Sequence, residues 1–259
     1  MKFDVNDLPS GGIPYALKFI DVQPFRPRHM PYISEAILAE NNGPLIEAVG
    51  MVMDFDVNQL TDGDFYYILT WLRFHSRDIP IYATWDCEGT LFRRKDNGAI
   101  YSIDDIDEMV VQWEKAKGTE AEATMEDPQK IEFEDIPCTH SNRIPTKFED
   151  FHIMRMSDVP LDDRLDYPRV RHMVEFMDLV RENRFTKVIG PVRYIKDGFN
   201  LRAKLEIVDE LEDMSLFDAA SRAHFDYEHG VLQRITKKCE VCGTTHDFNV
   251  TIDAQSFFV

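Results

Sequence analysis

Cys239-Glu240-Val241-Cys242-Gly243 is the strongest chemical signal in this sequence. Two thiolates separated by two residues can grip one zinc ion from a single tight turn. The glycine after the second cysteine permits the backbone geometry of such a turn. Lys237 and Lys238 just before it favour thiolates electrostatically. A tetrahedral site needs two more ligands. Cys87 and Cys138 are the obvious donors, with His140 in reserve. The expected metal ligands are therefore Cys87, Cys138, Cys239 and Cys242. Four protein ligands leave no open position for water or substrate, so such a zinc ion would be structural. Two other readings stay open. Cys87 and Cys138 could be ordinary buried thiols beside a vestigial, metal-free knuckle, or the last pair could be a redox pair. A thioredoxin-type pair sits at a strand-to-helix junction, whereas here a strand-like run follows Cys242.

Other catalytic patterns are absent. There is no Gly-x-Ser-x-Gly elbow, no phosphate-binding glycine loop and no His-Glu-x-x-His helix. His224 and His229 are five apart, which does not place them on one helix face. With 47 acidic residues, no carboxylate pair can be singled out as an acid/base couple. Arg93-Arg94-Lys95 lies near a turn at Asn97-Gly98 and lacks the interleaved aromatics of a nucleic-acid surface. No enzymatic activity is expected.

The elements that must position these cysteines are legible in part. Asp7 to Tyr15 is dense in proline and glycine and reads as a loop. Phe19 to Gln23 alternates and ends at Pro24, as an edge strand would. A helix is expected near Tyr32 to Glu40. Thr61 and Asp64 resemble a capping box before Phe65, Ile68, Leu69 and Leu72, which share one helix face. Ile79 to Trp85 alternates as a strand running into Cys87. Ile106, Met109, Val110 and Trp113 mark an amphipathic helix, and Gly118 to Lys130 reads as a mobile acidic loop. Cys138 to His140 falls in a turn between the strand-like runs Ile131–Ile136 and Lys147–Ile153. Asp166 and Pro168 precede a helix through Val180. Asn200 should cap the next helix. Ser215 with Asp218 should cap another, which Gly230 would stop. Phe248 to Ile252 alternates as a last strand.

Composition bounds the class. The 259 residues carry 47 Asp and Glu against 29 Lys and Arg, a formal net charge of −18, with 44% hydrophobic residues. That apolar fraction excludes disorder along the whole chain. No apolar run approaches the ~18 residues of a membrane span, and Met1 to Val5 lacks the apolar stretch of a signal peptide. A cytosolic, soluble protein is expected, without general affinity for nucleic acid or membrane. Between Ile103 and Asp135 there are twelve acidic and three basic residues. The expected fold class is α+β: a mostly helical body with short antiparallel strands around a zinc-ribbon-like cysteine cluster. One domain is expected over 1–259, with an acidic insertion at about 93–135 and a C-terminal zinc-ribbon-like element at about 231–259.

Several pieces, taken in order, resemble the baseplate hub assembly proteins of contractile-tailed, T-even-like bacteriophages. They are Leu8-Pro9-Ser10-Gly11-Gly12-Ile13-Pro14-Tyr15 with Val22-Gln23-Pro24; Leu60-Thr61-Asp62-Gly63-Asp64 with Leu72-Arg73 and Ser76; and His229-Gly230-Val231, the Cys239–Gly243 knuckle, Ile252-Asp253 and Phe257-Phe258. Together the pieces span about half of the chain. The sequence departs from the family in the acidic segment after Cys87 and in lacking a second two-cysteine knuckle there. The resemblance implies a late viral role, binding other phage hub proteins while the central hub of the tail baseplate is built. It implies a non-enzymatic protein in the host cytoplasm during assembly, as a transient chaperone or a subunit retained in the virion. The competing readings are a cellular zinc-ribbon protein binding nucleic acid or a polymerase, and a metal-dependent hydrolase.

Overall fold

The computed structural model describes residues 1–39, 41–181, 186–196 and 200–258. In chain order the elements are β1 (Lys2–Asp4), β2 (Phe19–Asp21), α1 (Met30–Ala39), α2 (Gly43–Gly50), α3 (Asp62–Ser76), β3 (Tyr82–Asp86), β4 (Thr90–Arg94), β5 (Ile100–Tyr101), α4 (Ile103–Ala116), β6 (Phe133–Pro137), β7 (Ser141–Pro145), β8 (Phe151–Met154), α5 (Met173–Arg181), α6 (Thr186–Val192), α7 (Leu201–Asp209), α8 (Ser215–Asp226), β9 (Gly230–Lys238) and β10 (Thr245–Asn249). Short 3-10 turns join several of them. They divide into two compact units. Unit 1 takes Met1–Pro80, Lys147–Gln233 and Thr251–Val259; unit 2 takes Ile81–Thr146 and Arg234–Val250.

Unit 1 is built around α3. Phe65, Ile68, Leu69 and Leu72 are all buried, as their spacing predicts. The Thr61 hydroxyl accepts from the Asp64 amide at 3.3 Å, which caps the helix. The other half of the expected capping box is replaced. Asp64 is fully buried and accepts from the Ser10 amide at 2.9 Å and from the Tyr15 hydroxyl, while the Thr61 amide donates to the Tyr15 oxygen at 3.0 Å. The Pro/Gly-rich N-terminal loop is therefore pinned onto the start of α3 by one buried carboxylate. At the far end of α3, Arg73 is 1% exposed and donates to the carbonyls of Ile79 (3.0 Å) and Ser256. Phe25 meets Phe257 edge-on, so the C-terminal segment packs in unit 1 too. A second core in this unit gathers Leu165, Leu179, Ile189, Val192, Ile195, Leu201, Ala220 and Tyr227.

Unit 2 consists of small antiparallel ladders. β3 pairs with β7, with Trp85 opposite Asn142. β4 pairs with both β5 and β6. β9 and β10 form a hairpin, with Lys238 opposite Thr245. The acidic stretch is structured in its first part. Ser102 and Asp105 form a reciprocal capping box for α4, with bonds of 3.1 and 2.8 Å. Ile106, Met109 and Trp113 are half-buried on one face, whereas Val110, expected beside them, is 41% exposed. The expected loop at 118–130 contains two 3-10 turns, Glu120–Thr124 and Pro128–Lys130, each started by a side-chain cap from Thr119 or Asp127.

Several expectations need correction. The strand into Cys87 begins at Tyr82 rather than Ile79, and the strand after Cys138 is Ser141–Pro145 rather than Lys147–Ile153. The first helix spans Met30–Ala39, and Glu40 lies outside the described residues. Asp166 does not cap α5. Its carboxylate takes the Tyr167 amide, and a 3-10 turn at Val170–His172 precedes the helix. Ser215 is the first residue of α8 and not its cap, because Asp213 accepts from the Ser215 amide at 2.7 Å. Gly230 does not end α8, which stops at Asp226; it opens β9 at φ 128° against Gly63, where a Cβ would come within 2.9 Å of backbone. The last strand ends at Asn249 instead of Ile252. The cap at Asn200 forms as expected, accepting from the Ala203 amide at 2.8 Å.

Unit 1 also buries a histidine at a cost. His172 is 2% exposed, and neither ring nitrogen has a hydrogen-bond partner among the described residues. Burial first, then the charges of Lys204 and Arg171, lowers its pKa from 6.5 to about 4; Arg169 acts the same way and Asp166 opposes them. Between those two pH values the unfolded chain holds a proton that the folded chain refuses, so stability must fall as pH falls. The loss should reach about 2–3 kcal/mol by pH 4.5. Urea unfolding of wild type and His172→Leu at pH 7 and 4.5 measures it. The wild type should show the extra acid loss and the variant should not; equal losses would refute it.

Candidate metal centre

The chain crosses from one ladder of unit 2 to another at two places. It passes from β3 to β4 through Cys87-Glu88-Gly89, and from β6 to β7 through Cys138-Thr139-His140. Because β3 pairs with β7 and β4 with β6, these connections lie side by side. They are bonded to each other: the Cys87 amide donates to the His140 carbonyl at 2.9 Å, and the Cys138 amide to the Gly89 carbonyl at 2.8 Å. The β9–β10 turn supplies the other pair. It is closed by Cys239 N–H to Thr244 O (2.9 Å) and Gly243 N–H to Cys239 O (3.0 Å), with Gly243 at φ 75°. A left-handed residue at this point of the turn is why glycine follows the second cysteine.

All four sulfurs lie within 4.8 Å of one another, and all four residues are buried. Cys87 and Cys242 sulfurs are 3.4 Å apart, and those of Cys138 and Cys239 are 3.9 Å apart. A disulfide needs about 2.05 Å, so these are free thiols. Four sulfurs around one zinc at about 2.3 Å would stand about 3.8 Å apart, which matches this spacing. The structure thus brings Cys87, Cys138, Cys239 and Cys242 together into a group that could bind a metal ion. His140 contributes its backbone carbonyl to the Cys87 amide, and its ring is not part of the group. A redox dithiol is not what this geometry resembles, since the pair sits in a turn between antiparallel strands.

The polar groups around the sulfurs were not anticipated. The Gly89 amide donates to Cys87 Sγ at 3.3 Å and Asn142 Nδ2 to Cys239 Sγ at 3.5 Å. The Thr244 hydroxyl lies 3.2 Å from Cys242 Sγ, and His246 Nε2 lies 3.3 Å from Cys87 Sγ. Polar groups at these positions orient and tune metal-bound thiolates. Burial pushes Cys87 up to about 12 and also raises Cys138. Burial acts on Cys239 in the same sense, but the amides of Cys242 and Val241 together with Asn142 outweigh it and bring it down to about 6. Gly89 admits no side chain: a Cβ there would stand 2.2 Å from the Thr244 hydroxyl and 2.8 Å from Cys242 Sγ. The only sequence signals for these neighbours are positional. Asn142 follows Cys138 by four residues and His246 follows Cys242 by four, each on the strand leaving its turn.

The class that fold and site define is a mixed α/β protein of small antiparallel sheets with a four-cysteine cluster. No protein-family model, curated protein or solved structure matches the chain. Among the described residues, no helix is long and apolar enough to cross a membrane.

Proposed function

We propose that this chain is a baseplate hub assembly protein or hub subunit of a contractile-tailed bacteriophage, acting by protein–protein binding, with one structural zinc ion held by Cys87, Cys138, Cys239 and Cys242 in a zinc-ribbon-like element. The biological role rests on the ordered resemblance of the N-terminal loop, the α3 segment and the knuckle to that family. The metal role rests on one observation, the closure of the cluster: four buried thiols from three loops, all within 4.8 Å. Bound there, zinc would cross-link those loops, and a full protein shell leaves no position for substrate. Nucleic-acid binding near the knuckle is not favoured. Lys238 donates to Asp104 at 2.6 Å and Arg234 pairs with Asp247, so these two cations beside the cluster are matched by carboxylates. The Arg93–Lys95 group is matched as well, with Glu134, Asp96, Glu126 and Glu132. Protein purified without chelator should carry about one zinc per chain. Elemental analysis showing no zinc, or a metal released without change in the thiols' reactivity, would reject the metal assignment.

A further inference from the structure

Unit 1 contains a pocket of about 310 Å³ that the cysteine cluster and the hub reading do not use. We propose that it binds an arginine side chain presented by a partner protein. The reading stands on unit 1 alone and does not depend on the hub assignment.

The pocket is lined by Phe3, Tyr67, Trp71, His75 and Phe148, with carboxylates supplied by Asp4, Asp7 and Glu149. Its aromatic wall is locked. Phe3 meets Trp71 edge-on at 5.3 Å, Tyr67 meets Phe148 edge-on at 5.3 Å, and His75 stacks on Trp71 at 4.2 Å. Phe3 and Trp71 are each 4% exposed and anchor the wall in the core, so the ring surface open to a ligand is that of half-buried Tyr67 and Phe148 and of exposed His75. An aromatic wall beside carboxylates attracts a cation twice, through the ring quadrupoles and through charge.

Among the described residues, the cations nearest this pocket are engaged with other groups. Lys2 lines it, but its ammonium lies over the Phe19 ring at 4.8 Å. The N-terminal amine donates to the Val22 carbonyl and pairs with Asp21. Arg155 commits one guanidinium nitrogen to the carbonyls of Asn6, Asp7 and Leu8. Asp4 accepts from Asn6. Asp7 and Glu149 are exposed and form no ion pair among the described residues.

The shape of the wall decides between the two cationic side chains. His75 is oriented by its Nδ1, 2.8 Å from the Trp71 carbonyl, and adds a flat ring to the wall. The site thus combines carboxylates with flat ring surface. A guanidinium is planar, stacks on aromatic rings and fans five donors outward, whereas an ammonium is a compact point charge. Arginine is the better match.

The test uses the full chain labelled with 15N and titrated with Nα-acetyl-arginine N-methylamide, alongside the citrulline and lysine analogues. The arginine probe should give saturable shifts of the Trp71 indole and neighbouring amides, with Kd on the order of millimolar. Citrulline keeps the shape without the charge and should bind at least about tenfold more weakly. Asp7→Asn with Glu149→Gln, both at exposed positions, should weaken the arginine probe by about tenfold and leave the melting temperature unchanged. Equal binding of citrulline, indifference to the double substitution, or the absence of any saturable shift would overturn the assignment. Lysine binding as tight as arginine would overturn the guanidinium specificity.

Discussion

On the structural-zinc proposal, the double variant Cys138→Ala/Cys242→Ala should bind no zinc and lose the folded structure of unit 2, while α3 in unit 1 stays protected. The expectation follows from what unit 2 has to hold it together. Apart from the four cysteines, its fully buried apolar side chains among the described residues are Ala83, Ala116 and Ile235. Leu91, Phe92, Trp113 and Phe133 are only half-buried. So small a core does not stabilise a unit of this size, and a metal is one of the usual remedies. Structural zinc contributes about 10–16 kcal/mol of apparent binding energy in small zinc-dependent folds. Removing two of four ligands should therefore abolish ordering rather than weaken it. Unit 1 has its own core around Phe65, Ile68 and Leu72, all fully buried. Hydrogen exchange should show β4, β6, β9 and β10 exchanging freely in the variant and α3 slow. His140→Ala is the control and should keep its zinc, because that residue serves through its carbonyl. Unaltered protection of the unit 2 strands in the double variant would refute the idea that metal holds this unit.

The site is only partly legible in the sequence. The knuckle is local: two cysteines and a glycine within five residues specify a turn, and the turn forms at that place. The company of Cys87 and Cys138 is not local. It comes from two ladder pairings, β3 with β7 and β4 with β6, whose partners are tens of residues apart and whose registers no local pattern encodes. The supporting groups were missed for the same reason, since Asn142 and His246 are ordinary strand residues until pairing brings them to the sulfurs. α3 and its buried face were readable because helical periodicity repeats over fifteen residues. The start of α8 is hard to read because Glu212, Asp213, Ser215 and Asp218 crowd it and several of them could accept free amides, whereas α5 begins only after the 3-10 turn Val170–His172, too far along the chain from Asp166 for that residue to cap it. The division into two interleaved units has no local signature. The chain leaves unit 1 between Pro80 and Ile81 and between Gln233 and Arg234, at neither a glycine-rich linker nor a change in composition.

On the hub proposal, an infection in which this chain is not made should yield heads and tail fibres but no completed hubs, and therefore no initiated tail tubes. The argument has three steps. Among the described residues, the cysteine cluster is buried and closed. On the hub reading, the protein acts through its surface. Unit 1 shows the required contrast, a firm core at α3 with exposed apolar side chains elsewhere, among them Leu38 at 85% and Phe225 at 77% exposure. On that reading, loss of the protein blocks assembly outright, because the tail tube starts on the hub it helps to complete. The defect should be all-or-none at the level of the particle, with unassembled hub components accumulating. Supplying the double-cysteine variant should fail to rescue it if unit 2 carries part of the binding surface, and supplying His140→Ala should rescue it fully. Electron microscopy of lysates reads the outcome. Contractile tails of normal number and length in the absence of the chain would reject the hub assignment, and would leave the zinc assignment to be judged on elemental analysis alone.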